Sequence, residues 1–483
     1  MEKFLCNIKS QTIHLSVLDT QGSFANIPFV FFYENSAGSP DFMDSDLLRE
    51  SFYRTVAQAP TLVGHIRAKG RGRIRAVIDN EDFNMPDYRE STSDIHFADL
   101  KSDGFNWRSW PLGVNTVGPM SQAGSEGEIK PINVHIIRLK DNSGVMIYVS
   151  MIHYIVDCPG YTAVVKRWSE IYQLLLSGDV EKIADLPPLS INRQVVLQSL
   201  PKERLPVNRE TEKTFTKFSL LAEFFAWIPP KVRGHISSKI VKRQNAETHM
   251  FHISFSALDS LRQSMAGHAA DPSKVNDSDI IMALTTKTIV QAQQATKEKG
   301  RKMGTCFNAL NREKSDLPLA VVFEVRDRLG ISDIKYVGNA LIPKIQLKNI
   351  ADLQTPTTIE SLGQTITDFS DITQDFSAPY IASHIDMIMP RPSSFTRPMA
   401  RYVRRKDALT YIYDLSPNMY DIDFGTGKPC WVSPIQPFRT NLTQLLTSKD
   451  PAEGIDVFIS LFPNVMKEVL KNEFWNRTAK LIY

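Results

Sequence analysis

Residues 146–160 read Met146-Ile-Tyr-Val-Ser-Met-Ile-His153-Tyr-Ile-Val-Asp157-Cys158-Pro159-Gly160. The apolar run Val145–Ile152 predicts a buried strand, and it delivers a histidine at its end, where loops and clefts lie. Asp157 follows four residues after His153. Pro159 suits the first turn of the next helix, expected over Tyr161–Leu176 and ended by Gly178. A neutral imidazole can take a proton from a hydroxyl or an amine near neutral pH. A nearby carboxylate can lock the loop that aims it. A histidine in isolation is more often structural than chemical, so this segment gains meaning only from what surrounds it.

Upstream, Ile27–Tyr33 predicts another buried strand. Asp44–Ala59 carries Leu47, Leu48, Phe52 and Val56 at helical spacing, with Pro60 beyond its end. Leu62–Arg67 and Ile74–Ile78 read as short strands around a Gly-containing turn, and Asn133–Leu139 pairs naturally with Val145–Ile152. Downstream, prolines punctuate 186–249, and residues 194–246 read as a crossover between two halves, 1–193 and 247–483. The second half resumes with a strand at Met250–Phe255 and helices at Ala257–Met265 and Asp277–Ala292, the latter capped by Asn276 or Asp277. Further strands are expected at Ala320–Val325, Leu341–Ile345, Leu409–Tyr413 and Val457–Leu461. The pattern predicts two layered α/β domains.

A second segment, Met419-Tyr-Asp-Ile-Asp423-Phe424-Gly425-Thr426-Gly427-Lys428-Pro429, demands a shaped turn through its two glycines and its proline. Its Asp-Phe-Gly alone also occurs in protein kinases, but the Gly-rich loop and the His-Arg-Asp loop of a kinase are missing. No serine sits in a Gly-x-Ser-x-Gly elbow, Ser433 included. His384 has no partner pattern and reads as packing.

Composition sets the outer bounds. The 483 residues carry 56 Lys plus Arg against 53 Asp plus Glu, for a net charge of +3. So small a charge gives no reason to expect a nucleic-acid partner. The basic runs Lys69–Arg75 and Arg401–Lys406 read as solvated surface, the second with an option on phosphate binding. Cys6, Cys158, Cys306 and Cys430 lack metal-ligand spacing and read as free thiols in a reducing compartment. No signal peptide is evident and no apolar stretch reaches the roughly 20 residues of a membrane span. The expectation is a cytoplasmic monomer.

With these segments in place, the chain resembles the BAHD-type acyl-CoA-dependent acyltransferases of plant and fungal secondary metabolism. His153-x-x-x-Asp157 and Asp423-Phe-Gly425-x-Gly427 stand where that family has its two signatures. Leu15-Ser-Val-Leu-Asp19, Phe31-Phe-Tyr33, Leu47–Arg67, Leu186–Arg193, Asn276-Asp-Ser-Asp279, Val325-Arg326-Asp-Arg328 and Tyr336-Val-Gly338-Asn339-Ala340 resemble lesser family patterns, in order. Three positions depart from it. His65 replaces a usual arginine, Cys158 stands where glycine follows the motif aspartate, and Thr426 stands where tryptophan is usual.

The resemblance implies two similar mixed-sheet domains of chloramphenicol-acetyltransferase-like topology with a channel between them. It implies acyl transfer from acyl-CoA, as co-substrate, to a hydroxyl or amine of a small molecule, with His153 as general base and no acyl-enzyme at Cys158. Asp157 is implied to pair with Arg326 or Arg328 and hold the loop. Asp423, Gly425 and Gly427 are implied to be structural, with Tyr33 and Thr426 as candidates for the channel wall. The small Thr426 calls for compensating bulk from Tyr420, Phe424 and Trp431. No metal, permanent cofactor, nucleic acid or membrane enters this picture. Two other readings stay open here: a catalytically silent binding protein, and a condensation-domain-like enzyme using a carrier-bound thioester. The latter class shows a second histidine just before the motif histidine, where this chain has Ile152.

Overall fold

The computed structural model describes residues 2–21, 26–69, 73–111, 130–216, 246–265, 267, 275–302, 315–374, 376–390, 407–413, 419–435 and 440–483. The strand that leads to His153 runs over Gly144–Ile152 and is buried along its whole length. It is buried because both of its faces are covered. Val145, Ile147, Val149 and Met151 pack in a cluster with Leu48, Phe52 and Val56 of the helix Ser45–Gln58 and with Val164 and Trp168 of the helix Cys158–Leu176. Met146 and Tyr148 join a second cluster with Phe32, Phe105, Met250 and Phe458. A strand covered on both sides has no polar face to alternate, hence the continuous apolar run.

This strand sits at the centre of a five-stranded sheet in the order Trp431–Pro434, Asn26–Glu34, Gly144–Ile152, Ile132–Arg138, Asp87–Thr92. The outermost pairing, Asp87–Thr92 with Ile132–Arg138, is parallel and the others are antiparallel. The second half builds a seven-stranded sheet in the order Leu341–Asn349, Asp316–Glu324, Leu409–Tyr413, Leu442–Thr447, Gly454–Leu461, Glu247–Ser254, Lys480–Leu481. The helix Asp277–Lys302 lays Ile280, Ile281 and Leu284 against it. Asn276 caps that helix, its Oδ1 accepting the Asp279 N–H at 2.8 Å. The other face of the seven-stranded sheet meets the first half through Met250, Phe458 and Tyr483. A third, small sheet joins Gln11–His14, Arg73–Ile78 and His65–Lys69. Two mixed α/β halves apposed in this way are the chloramphenicol-acetyltransferase-like architecture.

Two expectations change, and one falls partly outside the described residues. Pro60 opens a short 3-10 turn over Pro60–Val63, so the strand expected from Leu62 begins at His65. Of the crossover, the described residues hold the short helices Val195–Gln198 and Arg209–Thr216, and 217–245 lie outside them. The division at residue 247 does not separate the halves in space. Trp431–Pro434 adds an edge strand to the first half's sheet, pairing with Phe29–Phe32, and Met419, Tyr420, Ile422, Phe424 and Val432 lie in the first half's apolar cluster. Cys306 and the basic run Arg401–Lys406 lie outside the described residues. Among the described residues no helix is long and apolar enough to cross a membrane. Among them, too, no group of three or more His, Cys, Asp and Glu is arranged to hold a metal ion.

Candidate active site

The strand ends at Ile152, and the five residues 153–157 separate it from the helix that starts at Cys158. His153 is half-buried in this turn, with Nδ1 3.0 Å from the Val156 carbonyl oxygen. A carbonyl only accepts, so in the neutral ring Nδ1 carries the proton and Nε2 keeps its lone pair. Among the described residues Nε2 has no partner.

Asp157 is wholly buried and caps the helix, its Oδ1 accepting the Gly160 N–H at 3.0 Å. Arg326 donates to both of its oxygens, Nη1 to Oδ2 at 2.8 Å and Nη2 to Oδ1 at 2.9 Å. The Ala340 N–H donates to Oδ2 at 2.7 Å. The carboxylate is thus saturated by donors from both halves of the chain, and the His153 ring bonds Val156 rather than Asp157. Burial works against the charged Arg326 guanidinium, but Asp157 and Glu324 outweigh it and hold its pKa above the ordinary value. Burial also raises the pKa of Glu324, which Arg326 opposes and Asp157 reinforces.

Arg326, and not Arg328, faces Asp157. Two residues apart on a strand the arginines would share a face. The strand instead ends at Glu324, Arg326 takes helical dihedrals (φ −59°, ψ −47°), and a 3-10 turn covers Asp327–Leu329. Arg328 therefore lies over the rings of Phe323 and Phe376, at 5.8 and 5.3 Å.

The Asp423 turn is built as its glycines require. Gly425 and Gly427 have φ of 80° and 102°, in the left-handed region. The Asp423 Oδ1 accepts the N–H of Gly425 at 2.7 Å and of Gly427 at 3.0 Å. Phe424 anchors the turn edge-on against Tyr33, Trp168 and Tyr172, with centroids 5.7, 5.2 and 5.6 Å away.

Two channel candidates are corrected by this geometry. Thr426 is exposed, on a turn that packs against Gln173 and Leu176. Those residues end the helix that starts beside His153, and its 19 residues span roughly 27 Å at about 1.5 Å per residue. An exposed position leaves no indole-sized gap, so no compensation is needed. Phe424 and Tyr420 serve the first half's core in their own right, and Trp431 stacks on Phe105 in the other cluster. Tyr33 is buried in that core, where its hydroxyl donates to the Ile422 carbonyl at 2.8 Å and burial pushes its pKa up. It braces the turn from inside, with 1% of its surface exposed.

The sequence reading missed two side chains at the site. The Asn339 Nδ2 donates to the His153 carbonyl at 2.8 Å, and Arg193 donates to the Ile155 carbonyl at 3.3 Å. The Tyr-Val-Gly-Asn run held the signal. A Cβ on Gly338 would stand 2.2 Å from the Tyr336 ring and 2.3 Å from the Arg193 guanidinium, so only glycine lets these groups converge. Cys158 lines a cavity of about 20 Å³ at the seam, with Phe29, Met250, Tyr420 and Asp456 among its walls. His384 is buried in a helix of the second half, and burial pushes its pKa down to about 3.

The sequence profile of the Transferase family matches residues 6–474. No curated protein sequence matches the chain. The fold is similar to that of TRI101 from F. sporotrichioides, crystallised with coenzyme A and T-2. The two share 15% identity over 98% of this chain and 100% of that one, with a TM-score of 0.69. It is similar also to F. graminearum TRI101 with coenzyme A and deoxynivalenol, at 15% identity, 98% and 100% coverage and a TM-score of 0.66. Vinorine synthase matches at 13% identity, 96% and 94% coverage and a TM-score of 0.61.

Proposed function

The chain belongs to the Transferase family, the BAHD acyltransferases, and from that premise we propose that it moves an acyl group from a coenzyme A thioester to a hydroxyl or amine of a small molecule. The observation that carries the reading is the His153 ring, whose Nδ1–H is committed to the Val156 carbonyl so that Nε2 is the free base. The ring stands at the seam of the two halves, since its own carbonyl is held by Asn339 and the adjoining Asp157 by Arg326. TRI101 binds coenzyme A and a small-molecule toxin in its crystals, which supports a two-substrate site in this fold.

In the proposed reaction Nε2 takes the proton of the acceptor as its oxygen or nitrogen attacks the thioester carbonyl carbon. The tetrahedral oxyanion collapses, the carbon–sulfur bond breaks, and Nε2 returns the proton to the sulfur, giving the acylated acceptor and free CoA. Asp157 takes no proton. It orients the turn, with Arg326 as its counter-ion and Asp423, Gly425 and Gly427 bracing the far end of the helix. Arg328 has no part in this clamp. No metal and no bound cofactor is needed, and the protein works as a cytoplasmic monomer. Incubation with radiolabelled acetyl-CoA and a panel of alcohols and amines tests the reading. Label transferred to an acceptor supports it, and absence of transfer from any CoA thioester to any acceptor contradicts it.

A further inference from the structure

Asp19 is wholly buried far from His153 in sequence, yet it lies two hydrogen bonds away from it. Its Oδ2 accepts the Ser16 N–H at 2.7 Å, while its own N–H donates to the Ser16 hydroxyl at 3.0 Å, closing a tight turn. Its Oδ1 accepts the Asn339 N–H at 2.8 Å, the Asn339 Nδ2 at 3.1 Å and the Arg193 Nη1 at 3.3 Å. Both of these side chains continue to the main chain around the base: Asn339 to the His153 carbonyl at 2.8 Å, Arg193 to the Ile155 carbonyl at 3.3 Å. We propose that Asp19 and Asn339 are positioning residues for His153, acting through its backbone carbonyl.

The chemistry of the groups gives the reason. The His153 ring is oriented by a bond to Val156, within its own turn. The direction of Nε2 therefore follows the main chain of 153–156. The Asn339 amide can orient two ways, and only one presents its NH₂ to the His153 carbonyl. An ionised Asp19 accepts and never donates, so it draws the same NH₂ and locks that orientation. The consequence is visible on the other side of the amide. The Asn339 Oδ1 is buried without a partner among the described residues, a cost the site bears because a flipped amide would set that oxygen against the Asp19 carboxylate and the His153 carbonyl, both acceptors. Burial works against the Arg193 charge, and Asp19, Tyr336 and Asp157 together outweigh it and raise its pKa. The arginine thus has a counter-ion and can hold Ile155 without a stranded charge.

The inference rests on the reading of His153 as the base, so the test separates the two. The full chain is labelled with ¹⁵N-histidine, and the tautomer of His153 is read by NMR in the wild type, Asn339→Ala and Asp19→Asn. Release of CoA from acetyl-CoA is followed in parallel, with water or an alcohol as acceptor. The wild type should show a single Nδ1–H tautomer. Asn339→Ala should stay folded, mix the tautomers and lower kcat by roughly ten- to a hundredfold, with the KM for acetyl-CoA within about twofold. Asp19→Asn should act in the same direction, and the double variant should fall no further than the worse single one, because both act through one carbonyl. If Asp19→Asn does not fold, Asn339→Ala carries the test alone. An unchanged His153 tautomer in folded Asn339→Ala overturns the proposal, as does an unchanged kcat. If the wild type turns over no thioester, the acyl-transfer reading falls, and the tautomer signal still decides whether Asn339 positions the ring.

Discussion

Replacing Asp157 by asparagine should destabilise the protein before it touches the chemistry. In the wild type each carboxylate oxygen accepts two donors: Oδ1 from Arg326 and Gly160, Oδ2 from Arg326 and Ala340. An amide turns one of those oxygens into a donor facing two donors. A backbone N–H, of Gly160 or of Ala340, is orphaned, and Arg326 keeps its charge in a buried site. Removing one member of a buried pair costs about 3–5 kcal/mol. Here the low end applies, because Glu324 also pairs with Arg326, at 2.7 Å. Loss of the Asp157 charge also removes a repulsion that keeps Glu324 protonated more readily. At an unfolding entropy of about 2.1 cal/mol/K per residue, the 483 residues give about 1 kcal/mol/K, so the melting temperature should fall by about 3 °C if the chain unfolds as one unit. Calorimetry measures the melting temperature and CoA release measures the rate, which should fall as the turn loosens. An unchanged melting temperature with an abolished rate would refute this reasoning and make Asp157 a direct partner of His153 in the reaction.

Other outcomes follow from the same geometry. Thr426→Ala should keep activity within about twofold and stability within about 0.5 kcal/mol, as exposed positions do; a hundredfold loss of rate in folded protein would return the hydroxyl to the site. Gly338→Ala should lower stability by about 2 kcal/mol or more, since its Cβ would overlap the buried Tyr336 and Arg193, and a wild-type melting curve would contradict the packing. Burial raises the pKa of Asp279 to about 6. The folded state therefore binds the proton more tightly than the unfolded chain, and stability falls as pH rises from about 4 through 6. Asp279→Asn removes this titration, so its melting temperature relative to wild type should rise across that window and level off above it; a pH-independent difference would show that the carboxyl does not titrate there.

Much of this architecture can be read from the chain, for physical reasons. The strand before His153 and the helix after it declare themselves by local pattern: an apolar run of strand length, then Asp157, Pro159 and a helical spacing. The choice between Arg326 and Arg328 was not legible, because it depends on where a strand stops alternating, and the turn at Asp327–Leu329 leaves little trace in composition. The placement of Trp431–Pro434 in the first half's sheet is a pairing between segments nearly four hundred residues apart, which no local rule reaches. Thr426 and Tyr33, both expected at a channel wall, part ways for a related reason. The left-handed glycines turn 425–428 outward, while Tyr33 points along a strand face into the core. Asp19 and Asn339 were invisible as a pair because each is one polar residue among many until the fold brings them to the same carbonyl.

The central claim is that the Nε2 of His153 is the base of an acyl transfer from coenzyme A. Its most direct test is the ratio of CoA-release rates between the wild type and His153→Ala, measured with an acceptor that the wild type acylates and with folding checked by the melting curve. The account predicts a fall of roughly two to four orders of magnitude with the folded state retained, since the ring is half-exposed and fills no core. A folded His153→Ala that releases CoA and acylates the acceptor at near the wild-type rate would contradict it.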